Sequence, residues 1–101
     1  RQVERVVGAI PPGMVLTYGL VSKLAGFPKH SRHVGRVLGN QPEGSCLPWH
    51  RVVNSQGRIR TSPPQEQLAR LQSEGVLVEN LRVNLKRHLW SPHPLAFCEE
   101  M

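Results

Sequence analysis

Residues 17–38 read Thr17-Tyr18-Gly19-Leu20-Val21-Ser22-Lys23-Leu24-Ala25-Gly26-Phe27-Pro28-Lys29-His30-Ser31-Arg32-His33-Val34-Gly35-Arg36-Val37-Leu38, and this stretch decides the fold. Thr17 is a good helix N-cap, because its hydroxyl oxygen can accept a bond from an unpaired N–H of the first turn. Leu20, Val21 and Leu24 fall on one side of a helix predicted over Tyr18 to Leu24. Ala25-Gly26-Phe27-Pro28 breaks it. Ser31 is the next cap residue. It precedes a second helix predicted over about Arg32 to Leu38, with Val34, Val37 and Leu38 on one side and Arg32, His33 and Arg36 on the other. Two short helices joined by a tight glycine-containing turn form a helix-turn-helix pattern. The second helix has a packed face and a basic face, as a DNA-reading helix needs.

The charge points the same way. The chain has 13 Lys and Arg against 7 acids, a formal net charge of +6. From Lys23 to Arg60 there are seven basic residues (Lys23, Lys29, Arg32, Arg36, Arg51, Arg58 and Arg60) against the single acid Glu43, so this stretch carries the whole excess. Such concentration favours a polyanion partner over a merely solvated basic face. Aromatic residues are 5% of the chain, too few for a stacking platform of the single-strand-binding kind.

Outward from the central stretch, Val3, Val6, Val7 and Ile10 are at helical spacing and end at Pro11-Pro12-Gly13. Met14 to Thr17 reads as a short extended piece. Asn40 to Pro48 is a loop, and His50-Arg51-Val52-Val53 a short buried strand or turn. Thr61-Ser62-Pro63-Pro64 opens a helix through Gln65 to Ser73, with Leu68 and Leu71 inward and Gly75 as C-cap. Val76 to Val78 and Leu81 to Leu85 pair as a hairpin across Glu79-Asn80. The fold class expected is therefore mostly α with a small β hairpin, a winged-helix or helix-turn-helix-like single domain. It spans 1–90, with a flexible tail over 91–101.

A chain of 101 residues holds one modest core. No apolar run reaches the about 20 residues of a membrane span, and the first residues lack a signal-peptide core. Two cysteines, Cys46 and Cys98, make neither a disulfide framework nor a zinc site. No metal or cofactor is expected. The expected location is cytoplasmic, at the nucleoid, or nuclear. The absence of an initial Met leaves room for residues upstream.

Leu47-Pro48-Trp49-His50-Arg51-Val52-Val53 resembles the active-site signature PCHRV of the O6-alkylguanine-DNA alkyltransferases. Thr17-Tyr18-Gly19, Leu24-Ala25-Gly26, Pro28, Arg32 and Val34-Gly35 resemble the same family's helix-turn-helix, and Ser73-Glu74-Gly75-Val76 its closing E-G element. The spacings agree, with 14 positions from Tyr18 to Arg32 (32 − 18) and 17 from Arg32 to Trp49 (49 − 32). The decisive departure is Trp49, which stands where the enzymes carry the alkyl-accepting cysteine. Displacement at an alkyl carbon needs a thiolate, and indole has no usable lone pair. The PWHR form is the mark of the alkyltransferase-like proteins, which bind O6-alkylguanine in DNA without repairing it.

The resemblance implies roles for single residues. Tyr18 is the tyrosine that rotates a phosphate, and Arg32 the finger that fills the stack behind a flipped nucleotide. Ser31, His33 and Arg36 are candidate backbone or groove contacts. The lesion pocket takes Tyr18, the wall Trp49 and the carbonyl of Val52; the family's lesion-sensing contact has no clean match, and from the residues themselves Thr61 or Ser62 could donate to the alkylated oxygen while Arg58 and Arg60 could supply charge. The Gly57–Pro64 loop is shorter than in relatives. His50 and Glu74 match the relay that activates the thiol; without one they form a structural link between helix and loop, with water activation as the alternative. Arg51 braces the loop from inside. Either Asn40 or Gln41 ties the recognition helix to the active-site loop. Cys46 reads as a small, partly buried residue too far from the reactive position to replace the nucleophile.

The function this implies is non-enzymatic recognition of O6-alkylguanine. A monomer binds duplex DNA in the minor groove, flips the lesion, and flags it to nucleotide excision repair proteins. Two alternatives stand beside it: a sequence-specific winged-helix regulator, and an active alkyltransferase using Cys46.

Overall fold

The structure, a computed structural model, describes residues 2–42, 44–59, 61 and 63–92. Arg60, Ser62, Cys98 and most of the tail expected over 91–101 lie outside the described residues. In chain order the elements are α1 (Gln2–Ala9), β1 (Leu16–Thr17), α2 (Tyr18–Leu24), α3 (Ser31–Gly39), a 3-10 turn (Trp49–Arg51), β2 (Val52–Val53), α4 (Gln65–Ser73), β3 (Val78–Glu79), β4 (Arg82–Val83) and α5 (Leu85–His88). The fold is thus mostly helical with a small hairpin, and α2 and α3 form the helix-turn-helix. No helix among the described residues is long and apolar enough to cross a membrane.

The α2–α3 unit follows from local chemistry. The Thr17 Oγ1 accepts the Leu20 N–H at 3.1 Å and caps α2. Gly26, at φ +93, ends it, with the Phe27 N–H donating to the Ser22 carbonyl and the Gly26 N–H to the Lys23 carbonyl. This Schellman pair satisfies carbonyls that the helix leaves open. Ser31 does not cap α3: it is the first helical residue, and His30 occupies the cap position without a side-chain bond. The Schellman turn and Pro28 bring the chain into α3 one residue early.

Two cores, not the single one expected from the chain length, lie on either side of a parallel strand pair. β1 and β2 pair with Leu16 opposite Val52 and Thr17 opposite Val53. Successive strand residues face opposite ways. Leu16 and Val52 therefore join the core of α1, α2 and α3 with Val3, Val6, Val7, Ile10, Val21 and Val34. Val15 and Val53 join the other, with Ile59, Leu71, Val76 and Val83.

The hairpin differs from expectation by one register step. Its turn residues are Asn80 and Leu81, both at positive φ (54° and 60°), rather than Glu79 and Asn80. Two left-handed residues make the type I′ geometry that matches strand twist. The second strand ends at Val83; Asn84 caps α5 by accepting the Arg87 N–H, so Leu85 is helical and not part of a strand. Residues 57–59 add a third extended segment beside β4.

One carboxylate locks these parts together. Glu74 is the C-cap of α4, and Gly75 follows at φ +84 in a second Schellman turn. Its oxygens accept from His50 Nε2 at 2.8 Å, Arg51 Nε at 3.0 Å, Arg51 Nη2 at 2.6 Å and the Gly13 N–H at 3.3 Å. Arg51 Nη1 also donates to the Ile10 carbonyl at 2.8 Å. Burial pushes the Glu74 carboxyl up, but the bonds from Arg51, His50 and Gly13 outweigh it and hold the carboxyl at about 2.

Two outcomes follow. A Cβ at Gly57 (φ +82) would lie 2.6 Å from the Val83 carbonyl oxygen, whereas one at Gly26 meets nothing. Gly57→Ala lowers stability by roughly 2–3 kcal/mol, and Gly26→Ala by about 1, read as urea midpoints. Glu74 titrates lower in the folded chain than in the unfolded one. Its stabilisation is therefore complete above the unfolded value of 4.5 and is lost as pH falls from there through about 2. Glu74→Gln loses about 2 kcal/mol or more at pH 7, and its stability changes less than the parent's between these pH values.

Candidate nucleic-acid interface

α3 buries Val34 and leaves Ser31, Arg32, His33, Gly35 and Arg36 exposed. The apolar side is held by α2, so the polar side is what a partner meets. A groove of about 550 Å³ runs along it, lined by Lys29, His30, Ser31, Arg32, His33 and Arg36. Every ionisable group on that lining is basic or histidine. Phe27 sets the shape of the turn before it, with edge-on ring contacts to His30 and His33 at 6.3 and 6.4 Å.

Arg32 also lines a second groove, of about 310 Å³, with Tyr18, Ser31, Gly35 and Asn54. Tyr18 starts α2 and Arg32 lies in the first turn of α3, so the helix-turn-helix brings both to one opening. Gly35 has open space where a side chain would stand, which allows close approach of a ligand backbone. Trp49 and Thr61 do not line this groove.

Trp49 is half-buried on the 3-10 turn. The His50 ring meets its edge at 6.1 Å, and the Arg70 guanidinium of α4 lies 5.5 Å from its ring centre, at cation–π range. Arg70 is held by Glu66 at 2.8 Å, one helical turn back. The sequence reading missed Arg70. Its spacing from Glu66 is visible in the sequence, but the packing of α4 on the 3-10 turn is not.

Gln67 was missed as well, and it is almost fully buried. Its Nε2 donates to the carbonyls of His50 at 2.9 Å and Val52 at 3.0 Å. Its Oε1 accepts from the Thr61 hydroxyl at 2.9 Å. Val52 and Thr61 are therefore joined through one amide. The Thr61 proton is spent on Gln67, so Thr61 does not present a donor here, unlike the role expected of it. Ser62, the other donor expected, lies outside the described residues.

His50 is buried, and burial lowers its pKa despite the opposing pull of Glu74, so the ring is neutral at pH 7. Its Nδ1 is buried without a partner among the described residues. Gln41 donates to the Val37 carbonyl at 3.1 Å and accepts from Ser45 Oγ at 3.0 Å, spanning from the end of α3 to the loop beyond it. Asn40 is the C-cap of α3, its N–H donating to the Val37 carbonyl. Cys46 is exposed, not partly buried as expected, because the loop from Gly44 to Cys46 stands off both cores. No group of three or more His, Cys, Asp or Glu among the described residues is placed to hold a metal ion.

Residues 1–76 match the family profile described as 6-O-methylguanine DNA methyltransferase, DNA binding domain. A DNA base-flipping protein of Vibrio parahaemolyticus is 45% identical over 94 residues, covering 90% of this chain and 94% of that protein. Alkyltransferase-like protein 1 of Schizosaccharomyces pombe is 34% identical over 100 residues, covering 90% and 93%. The crystal structure of that yeast protein with damaged DNA containing O6-carboxymethylguanine superposes with a TM-score of 0.80 at 35% identity, again over 90% and 93% of the two chains. With the helix-turn-helix, the matched profile and these relatives together, the chain belongs to the DNA-binding-domain family of the 6-O-methylguanine DNA methyltransferases, on its alkyltransferase-like branch.

Proposed function

We propose that this chain is a non-enzymatic sensor of O6-alkylguanine in duplex DNA. The observation that carries the reading is the shared opening of Tyr18 and Arg32 on an exposed basic helix face. In this reading α3 enters the minor groove. Tyr18 turns a phosphate, and Arg32 fills the space of the extruded nucleotide with a planar guanidinium that can stack and hydrogen-bond. Extrusion costs a few kcal/mol and is cheapest for a poorly paired, damaged base. Ser31, His33 and Arg36 hold the backbone, and the lesion rests against Trp49.

Indole at position 49 supports binding without transfer, since no thiolate stands there. The neutral His50 and the ionised Glu74 then serve as a structural link between the 3-10 turn and α4. The yeast relative was solved on alkylated DNA, and this supports the same ligand class here. The bound complex, formed by a monomer in the cytoplasm at the nucleoid or in a nucleus, hands the lesion to nucleotide excision repair proteins.

A mobility-shift comparison of plain and O6-methylguanine duplexes, followed by intact-protein mass measurement, tests the reading. The chain prefers the alkylated duplex and gains no mass. Arg32→Ala weakens lesion binding about tenfold or more, a loss of about 1.4 kcal/mol or more, and Tyr18→Phe weakens it less. Equal affinity for both duplexes would sink the proposal, as would undiminished lesion binding by Arg32→Ala. A gain of one alkyl group would instead favour the alternative of an active alkyltransferase using Cys46.

A further inference from the structure

Residues 57–59 run antiparallel to β4. The Ile59 N–H donates to the Leu81 carbonyl and the Val83 N–H to the Gly57 carbonyl, each at 2.8 Å. These bonds flank Arg58 and Arg82, which face each other as a bridge pair. A pair flanked in this way is the closer kind, with Cα atoms about 4.5 Å apart and both side chains on one face. Gly57, Ile59 and Val83 are buried while Arg58 and Arg82 are exposed, so that face is the outer one.

Like charges directly opposite each other destabilise a sheet. The acid in the same row is Glu79, opposite Arg82 on β3. Neither arginine makes an ion pair with Glu79 or any other described residue. Two arginines thus leave one face of the sheet from neighbouring positions, with no ion pair to either among the described residues. A phosphate between them would turn the repulsion into two charge-assisted contacts.

Their place in the fold indicates which phosphate. The Arg58 N–H donates to Asn54 Oδ1 at 2.8 Å, and the Asn54 N–H donates to the Arg58 carbonyl at 3.1 Å. Asn54 lines the groove of Tyr18, Ser31 and Arg32. Residues 54–58 contain no acid, so they carry the surface from the recognition helix to the sheet without a negative charge. We propose that Arg58 and Arg82 form a second phosphate site, which takes the backbone of the duplex where it runs past the α3 groove. The inference rests on duplex DNA as the partner and not on lesion recognition.

The test is the salt dependence of binding by the full chain, measured by fluorescence anisotropy on plain and O6-methylguanine duplexes. Each phosphate contact contributes about 0.9 to the slope of log affinity against log salt concentration. The site takes one phosphate, so the Arg58→Gln/Arg82→Gln double variant lowers that slope by about 0.9 on both duplexes. It lowers affinity for both duplexes and melts no lower than the parent, because a repulsion has been removed. Arg58→Lys/Arg82→Lys keeps the slope. An unchanged slope in the Gln variant overturns the site, as does a melting temperature that falls along with affinity, which would mark both arginines as structural props. A parent without lesion preference, but with the slope change intact, overturns the lesion reading and leaves this site standing. A parent that binds neither duplex overturns both.

Discussion

The Glu74 carboxylate is the constraint on which the other parts of this small fold depend. Its strands are two residues long, so backbone ladders alone cannot fix how α4, the 3-10 turn and the α1–β1 turn meet. Glu74 meets all three with charge-assisted bonds. Taking a carboxylate and a guanidinium partly out of water is costly, and their pairing repays it only with good geometry and satisfied neighbours. Both conditions are met: Arg51 gives two nitrogens to the carboxylate and a third to the Ile10 carbonyl. Gly13 is held at both ends of its backbone, its N–H by Glu74 and its carbonyl by His88 Nδ1. His88 Nε2 accepts the Leu77 N–H, so the ring carries its proton on Nδ1. The lock thus reaches from the first turn of the chain to α5.

What the lock positions is a partition. The β1–β2 pair sends alternate side chains into two cores, and α2 starts directly from the end of β1. The helix-turn-helix is therefore anchored at Thr17, which is both the last strand residue and the cap of α2. Because α3 is held through Val34 and its contacts with α2, its other side needs no apolar residue and can present Arg32, His33 and Arg36. From the opposite side of β2, Gln67 closes the carbonyls of His50 and Val52. The segment bearing Trp49 is gripped by α4 on several atoms while the helix-turn-helix is fixed through β1.

The parts legible in the sequence are those fixed by near neighbours. The spacing of Val3, Val6 and Val7 places α1, and Thr17 with Leu20 places the start of α2, because cap and periodicity act within one or two turns. Ser31 shows the limit of that logic: a good cap residue was displaced by the turn before it. The hairpin turn slipped by one residue because Leu81 accepts a left-handed backbone that its side chain does not favour. The parallel pairing of Leu16 with Val52, the burial of Gln67 and the stacking of Arg70 on Trp49 all join residues far apart in sequence. No local pattern signals them. The order of motifs from Tyr18 through Trp49 to Glu74 did signal the family, because a chain of spaced motifs carries long-range information that propensities lack.

The basic excess shows how far a charge count along the chain departs from a charge map in space. Counted in order, the whole +6 falls between Lys23 and Arg60. In the fold, Arg51 leaves that set, since Glu74 takes its charge in the interior. Lys29, Arg32 and Arg36 stay together on the groove of α3. Arg58 is carried away from them in sequence but remains linked through Asn54, and it gains Arg82, which a linear count assigns to the neutral remainder. Arg70, also from that remainder, is bound to Glu66 and laid over Trp49. A polyanion therefore meets a surface assembled from two separate stretches of chain. Arg51, paired in the interior, serves the fold, and the arginines along α3 and the 54–58 turn, which make no ion pair among the described residues, are left for the partner.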